Sequence, residues 1–135
     1  MQIIKAYIIS IILLLGLDIC WIGFLAKNFY LENLGGMIRL SDGKINPVWS
    51  AAIIVYLLIA TGIVFFVLPK ASYNPMQALV WGAVFGAVCY GIYDFTNYSL
   101  LNSWRFSVTV VDLCWGIFLC GMTSYLTSLA IRALS

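Results

Sequence analysis

Charged residues are scarce in this sequence, and histidine is absent. Only 9% of the 135 residues are charged, whereas 64% are hydrophobic, and the mean hydropathy is +1.04. A soluble globular domain has about a quarter of its residues charged, so this composition indicates a membrane protein. The missing histidine excludes a His-ligated haem, a His-rich di-iron centre and imidazole proton relays. The net charge of +2, without any basic run, gives no support for a nucleic-acid partner.

Other absences narrow the chemistry further. The four cysteines lie in apolar segments without metal-type spacing, so we expect small buried hydrophobic residues rather than metal ligands or disulfides. No lysine lies deep in an apolar segment, which excludes a retinal-type Schiff base. The sequence also has no Gly-rich phosphate loop and no Ser-His-Asp set. We therefore predict no metal site and no cofactor.

Four long apolar stretches predict an all-α protein, a single-domain bundle of four transmembrane helices embedded in the lipid bilayer. They cover residues 3–26, 48–68, 76–99 and 106–130, and each is long enough for the ~20 residues that a helix needs to cross a bilayer. Because no A-x-A-like cleavage site follows the first stretch, we expect a retained span rather than a signal peptide. Asn46-Pro47 and Asn74-Pro75 each place a capping side chain before a proline, which predicts where spans two and three begin.

The connections between the spans differ in length. Residues 27–47 form a long loop that is apolar enough to lie on the membrane surface or to fold back over the helix ends. The basic residues are almost balanced between the two sides of the bilayer, with Lys5, Lys70 and Arg132 opposite Lys27, Arg39, Lys44 and Arg105. This balance leaves the orientation open, and it is compatible with dual insertion as an antiparallel homodimer.

Three of the five acidic residues lie inside the predicted spans, namely Asp18, Asp94 and Asp112. An aspartate near a helix centre costs roughly 2.5–3.5 kcal/mol on insertion scales, so each needs a partner. Counted from the middle of each span, Asp18 lies ~5 Å and the other two ~10 Å towards the long loop. All three carboxylates therefore belong to one leaflet. Ionisable groups within a membrane mark functional sites, so this cluster is the predicted ligand-binding site.

Aspartate and tryptophan are paired in two of the spans. Asp18 precedes Trp21 by three residues in span one, and Asp112 precedes Trp115 by three in span four, so each pair shares a helix face. Since these two spans are antiparallel, they could form matched halves of one polar seam. Each indole N–H could then donate to a carboxylate.

The third span carries the densest polar sequence. Asp94 is predicted to share a face with Tyr90, Asn97 and Tyr98. Arg105, at the interface before span four, is the expected cationic partner of the cluster. Together with the two Asp-Trp pairs, Tyr90, Asp94, Asn97 and Arg105 complete the predicted ligand-binding set.

Small residues and aromatic residues have simpler explanations. Gly82 and Gly86 form a G-x-x-x-G row on span three, which favours close helix packing and is a face through which a second copy could form a dimer. Span two has no ionisable residue and is predicted to lie mostly in lipid. Aromatic residues near the long loop are equally well explained as an interfacial belt, among them Trp21, Trp49, Trp104 and Tyr30.

The motifs of spans one, three and four resemble those of a known family. The run Tyr90-Gly91-Ile92-Tyr93-Asp94-Phe95-Thr96-Asn97 is similar to its Y-G-x-Y-D-x-T-N stretch, and the Asp-Trp pairs are similar to its D-x-x-W motifs. The chain thus resembles, over nearly its whole length, the bacterial family of small membrane proteins catalogued as domain of unknown function 2177. The resemblance implies a four-helix, multi-pass protein of the bacterial inner (cytoplasmic) membrane, and it implies no catalytic residues.

Several functions fit these features. The first is the binding or translocation of a small polar or cationic ligand, or of protons, at Asp18, Asp94 and Asp112. The second is an intramembrane enzyme of lipid metabolism that uses one carboxylate as general base, and the third is an accessory subunit. Alternatively, the carboxylates only tie the helices together. The missing histidine counts against an enzyme, so we favour binding or translocation.

Overall fold

The computed structural model describes residues 1–135 and contains four helices that are long and apolar enough to cross a membrane. They are Gln2–Leu25, Trp49–Lys70, Pro75–Leu100 and Phe106–Ala133, here called spans one to four. Each end lies within three residues of its predicted position. The predicted all-α bundle of four membrane-spanning helices is confirmed.

Two of the spans contain a short π-helix. Span one is an α-helix over Gln2–Cys20 that ends as a π-helix over Trp21–Leu25. Span two is α-helical over Trp49–Gly62 and Leu68–Lys70, with a π-helix over Ile63–Val67 between them. Because π-helical turns are rare and occur frequently at functional sites, the one that begins at Trp21 is notable for its position beside Asp18.

The long loop is structured and folds over the ends of the spans. It contains an α-helix over Lys27–Leu34, a 3₁₀-helix over Gly35–Met37, and a hairpin of strands Leu40–Ser41 and Lys44–Ile45. A small apolar cluster of Ala26, Tyr30 and Val108 joins this loop to the start of span four. Of the two placements predicted for the loop, the structure therefore adopts the second.

The two Asn-Pro pairs have different roles. The Asn74 side chain accepts a hydrogen bond from the Gln77 N–H at 3.1 Å, so the predicted start of span three is confirmed. The predicted start of span two is met within one residue, at Trp49, but the capping role predicted for Asn46 is wrong, because this helix has no side-chain cap. The Asn46 N–H instead donates to the Arg39 carbonyl at 2.9 Å, which places this residue in the extended segment that closes the hairpin.

Spans three and four form the closest pair of helices. A Cβ atom added to Gly82 would lie 2.7 Å from the Cys120 carbonyl oxygen, and one added to Gly86 would overlap the Gly116 carbonyl group. Both glycines are buried and therefore serve packing within the chain. Dimerisation through the small residues of span three stays a prediction, but these two glycines already face span four.

The hydrophobic core refines one expectation and corrects another. Span two is mostly exposed, as predicted, but its second half is packed against the other spans. Its core residues there are Ile59, Ala60, Ile63, Val64 and Leu68. The cysteines are free thiols, but only Cys120 is fully buried, whereas Cys20 and Cys114 lie on the exposed surface.

Candidate functional site

Asp18 connects three of the four spans. Its side chain is buried and accepts a hydrogen bond at Oδ1 from the Trp115 indole N–H of span four, at 2.8 Å. Its second oxygen, Oδ2, accepts from the Tyr56 hydroxyl of span two. Both oxygens of this carboxylate are therefore paired with donors from neighbouring helices.

Asp112 is held by a residue of the long loop. The Tyr30 hydroxyl donates to Asp112 Oδ1 at 2.8 Å, and the same hydroxyl accepts from the Trp21 indole N–H at 3.0 Å. Tyr30 is itself buried against Ala26 and Val108. The hydrogen-bond donor to Asp112 thus comes from the loop helix and not from any of the four spans.

The two Asp-Trp pairs exchange partners across the bundle. Trp115 of span four donates directly to Asp18 of span one, and Trp21 of span one reaches Asp112 of span four through Tyr30. The two indole rings stack with their centroids 4.6 Å apart and an angle of 5° between their planes. The sequence predicts that the indole N–H groups donate to carboxylates. In the structure each indole is linked to the aspartate of the other helix, Trp115 directly and Trp21 through Tyr30.

Asp94 differs from the other two aspartates because it has no donor. Asp94 is fully buried, and neither oxygen of its side chain has a hydrogen-bond donor. The Thr109 hydroxyl, which is nearby, donates to the backbone carbonyl of Asp94 at 3.5 Å and itself accepts from the Trp104 indole at 3.0 Å. The carboxyl group of Asp112 lies beside that of Asp94, close enough for the two groups to share a hydrogen bond when one of them is protonated.

Burial without a donor is unusual for a carboxyl group. Nearly all buried polar atoms in folded proteins are hydrogen-bonded, and an isolated buried charge is strongly disfavoured. A second carboxyl beside the first adds repulsion between like charges in a medium of low dielectric constant. A proton or a cation bound between Asp94 and Asp112 would remove this repulsion and supply the missing partner.

The remaining predicted site residues lie at different distances from this pair. Tyr90 packs over Gly116 and lies close enough to Asp18 and Asp112 to feel their charges. Asn97 is half-buried next to Tyr93. Tyr90 therefore flanks the aspartates from span three, whereas Asn97 is placed only beside Tyr93 of its own helix.

Two expectations about the partners of the aspartates need correction. Tyr98 does not join Asp94, because its ring is exposed and packs against Phe106 with centroids 5.3 Å apart. Arg105 is exposed at the residue that precedes span four, and the hydrogen-bond partner of Asp112 is Tyr30 instead. Tyr30 of the loop helix thus takes the place that the sequence predicts for Arg105 beside Asp112.

Sequence reasoning misses Tyr30 and Tyr56 as members of the hydrogen-bond network. Tyr56 is a polar side chain within residues 53–59, a run whose other members are all aliphatic, and this contrast is the available signal. Tyr30 resembles a residue of the interfacial belt, since nothing in the sequence shows that the loop helix folds inward. Burial raises the pKa of Tyr30 well above its usual value of 10.0, and the neighbouring Asp112 carboxylate raises it further. Its hydroxyl therefore keeps its proton and remains a donor.

No group of three or more histidine, cysteine, aspartate or glutamate side chains is arranged to hold a metal ion. The carboxyl groups are distributed instead as one paired aspartate, Asp18, and one adjacent pair, Asp94 and Asp112. Such an arrangement suits a proton or a monovalent cation better than a divalent metal, which needs about six oxygen ligands.

Residues 3–129 of the chain match the family described as "Predicted membrane protein (DUF2177)". The chain belongs to this family, which confirms the resemblance indicated by its motifs. No curated protein and no solved structure has significant similarity to it. The family and the four spans together establish a multi-pass membrane protein.

Proposed function

We propose that this protein binds a proton or a small monovalent cation between Asp94 and Asp112 and passes it across the bacterial inner membrane. The observation that carries the proposal is the Asp94 carboxyl group, which is fully buried without a donor and lies beside a second carboxyl group. In the surrounding network Tyr30, itself held by Trp21, fixes Asp112 in place, and Trp115 holds Asp18.

A purely structural role explains two of the aspartates but not the third. Asp18 joins spans one, two and four through two hydrogen bonds, and Asp112 is tied to the loop helix through Tyr30. Such ties stabilise helix packing in membranes. Asp94 makes no comparable tie, so its carboxyl group contributes an insertion cost without a hydrogen bond in return. A bound proton or cation offsets that cost.

Buried hydroxyl groups in the other half of the bundle support translocation. Ser10 of span one and Thr127 of span four are hydrogen-bonded at 3.1 Å, and both are fully buried. The hydroxyls of Thr123 and Ser128 are also buried, and neither has a partner. Thr123, Thr127 and Ser128 lie along span four between the aspartate pair and the side of the termini, with Ser10 of span one beside Thr127, and together they supply polar atoms along a route across the bilayer.

A fluorescence titration tests binding at the aspartate pair. Trp104 is linked to Asp94 through Thr109, so tryptophan emission reports on the site. In reconstituted protein, changing the pH or adding methylammonium should alter this emission, and the Asp94→Asn variant should lose the response. Asp42→Asn, which changes an exposed aspartate of the hairpin, is the matched control and should keep it. The same response in Asp94→Asn as in the unmodified protein would contradict the proposal.

A flux measurement then separates binding from translocation. Proteoliposomes that contain a trapped pH indicator should acidify or alkalinise faster with the unmodified protein than with Asp94→Asn. A fluorescence response without flux would retain the binding site and exclude the translocation step. The alternative of an intramembrane enzyme or accessory subunit of lipid metabolism stays a prediction, and the lipid composition of a deletion strain is its direct test.

A further inference from the structure

A groove of about 440 Å³ lies between span one, span two and the hairpin of the long loop, apart from the Asp94–Asp112 pair. Its walls are mainly apolar, and its four ionisable residues lie at two levels. Asp18 and Tyr56 lie at the inner end, within the spans, whereas Lys27 and Lys44 lie beyond the span ends. We propose that this groove binds one anionic phospholipid of the bilayer, with the phosphate at the two lysines and an acyl chain along the apolar walls.

The depth of the groove matches the shape of a lipid. Asp18 lies seven residues before the end of span one at Leu25, which is roughly 10 Å along the helix, and Lys27 lies beyond that end. Lysine side chains at this level reach the head-group region of the bilayer, where they attract phosphate. The wall between the two levels is formed by Ile19 and Ile22 of span one, and Leu15 extends the apolar wall deeper than Asp18.

The groove opens sideways to the hydrocarbon of the bilayer. Ile19 is 54% exposed and Trp49 is 62% exposed, although both line the groove. A lipid can therefore enter laterally from the surrounding leaflet without crossing the aqueous phase. The indole of Trp49, at the start of span two, lies at the level where tryptophan contacts lipid head groups.

The charges of the groove favour an anionic occupant over a cationic one. Both oxygens of the Asp18 carboxyl group, at the inner end, already accept hydrogen bonds, from Tyr56 and Trp115. Lys27 and Lys44 are the ionised groups left at the mouth, and they would repel the head group of a cationic amphiphile. The charge and the shape of the groove therefore both favour an anionic phospholipid.

Lipid retention measured by native mass spectrometry tests this proposal. Full-length protein is released from nanodiscs that contain equal amounts of phosphatidylglycerol and phosphatidylcholine with the same acyl chains. One phosphatidylglycerol should remain bound in preference to phosphatidylcholine. The Lys27→Gln and Lys44→Gln variants should each reduce this preference about fivefold, and the double variant roughly 25-fold. The control is a double variant on the opposite side, Lys5→Gln with Arg132→Gln, which should leave the preference unchanged.

A second variant tests the groove independently of its charge. Ala52 lines the groove and is half-buried, so Ala52→Leu should displace the acyl chain and abolish retention while both lysines remain. Equal retention of the two lipids, or retention that is insensitive to both lysines, would show ordinary annular lipid and overturn the proposal. Full retention in Ala52→Leu would also overturn it, because the lipid would then lie elsewhere. None of these variants alters Asp94 or Asp112, so the outcome is independent of proton or cation binding.

Discussion

The Trp115 indole donates a hydrogen bond to the Asp18 carboxylate at 2.8 Å, although the two residues are 97 positions apart in sequence. This bond joins the last span to the first, and Tyr56 adds a donor from the second span to the same carboxylate. The antiparallel counterpart, from Trp21 to Asp112, passes through Tyr30. The bundle is therefore closed at the long-loop end by two aspartates, each linked to the tryptophan of the other helix, directly for Asp18 and through Tyr30 for Asp112.

Replacing Trp115 with phenylalanine removes this donor while keeping an aromatic ring over Trp21. We expect Trp115→Phe to lower the free energy of unfolding by about 1 kcal/mol, more than the ~0.6 kcal/mol average of interhelical hydrogen bonds in membranes, because the acceptor is a carboxylate. Chemical unfolding in detergent micelles measures this change. The matched control is Trp49→Phe, at a residue that is 62% exposed. Equal effects of the two variants would show that the hydrogen bond does not stabilise the bundle.

The close contact between spans three and four implies that glycine substitutions there destabilise the protein, whereas a substitution at an exposed glycine does not. A methyl group at Gly86 would overlap the Gly116 carbonyl, whereas one at Gly16 meets no atom within 4 Å. Gly86→Ala should therefore destabilise the protein by about 1–3 kcal/mol through overpacking, and Gly16→Ala should be tolerated or slightly stabilising, since alanine favours helix. Thermal unfolding in micelles compares the two. An unchanged transition in Gly86→Ala would contradict the close approach of these helices.

The raised pKa of Tyr30 predicts how its contribution depends on pH. Below about pH 10, the tyrosine is protonated in both the folded and the unfolded chain, so the hydrogen bond to Asp112 contributes fully. Above that pH the unfolded chain loses the proton first, and the stabilisation decreases as pH rises towards the folded pKa. The stability difference between the unmodified protein and Tyr30→Phe should therefore shrink from about pH 8 to about pH 11. A difference that stays constant or grows over this range would show that the tyrosine is not held as a buried donor.

The two Asn-Pro pairs provide a matched test of helix capping. Asn74 caps span three through its bond to the Gln77 N–H, whereas Asn46 caps no helix. Asn74→Ala should lower the free energy of unfolding by about 0.5–2 kcal/mol. Asn46→Ala keeps the backbone bond to Arg39 and should cost much less. If both substitutions had the same effect, the side-chain cap at Asn74 would not be the stabilising interaction.

The spans are predictable because their signal is local. Length and continuous hydropathy place every span end within three residues, and the depth of Asp18, Asp94 and Asp112 follows from counting along each helix. The spacing of three residues also predicts that each tryptophan shares a face with its aspartate. Helical periodicity determines such relations within one segment, so the sequence carries them without knowledge of the neighbouring spans.

The relations between segments are not predictable in the same way. The roles of Tyr30 and Tyr56 depend on how the loop helix folds over span four and on how span two is rotated. The missing donor at Asp94 depends on which groups the neighbouring helices direct towards it, and a face shared with Tyr98 suggests a partner that the structure does not provide. These contacts depend on how several helices pack together, and the spacing of residues along one helix does not determine that packing.

Infrared difference spectroscopy on reconstituted protein tests proton or cation binding at Asp94 and Asp112, because it observes the carboxyl groups themselves. A protonated carboxyl and a carboxylate absorb separately, so proton or cation binding at Asp94 and Asp112 changes the carboxyl bands. We expect a band that responds to pH and to added methylammonium in the unmodified protein and in Asp42→Asn, and that is lost in Asp94→Asn. A responsive band that persists unchanged in Asp94→Asn, or its absence from the unmodified protein, would contradict binding at this pair.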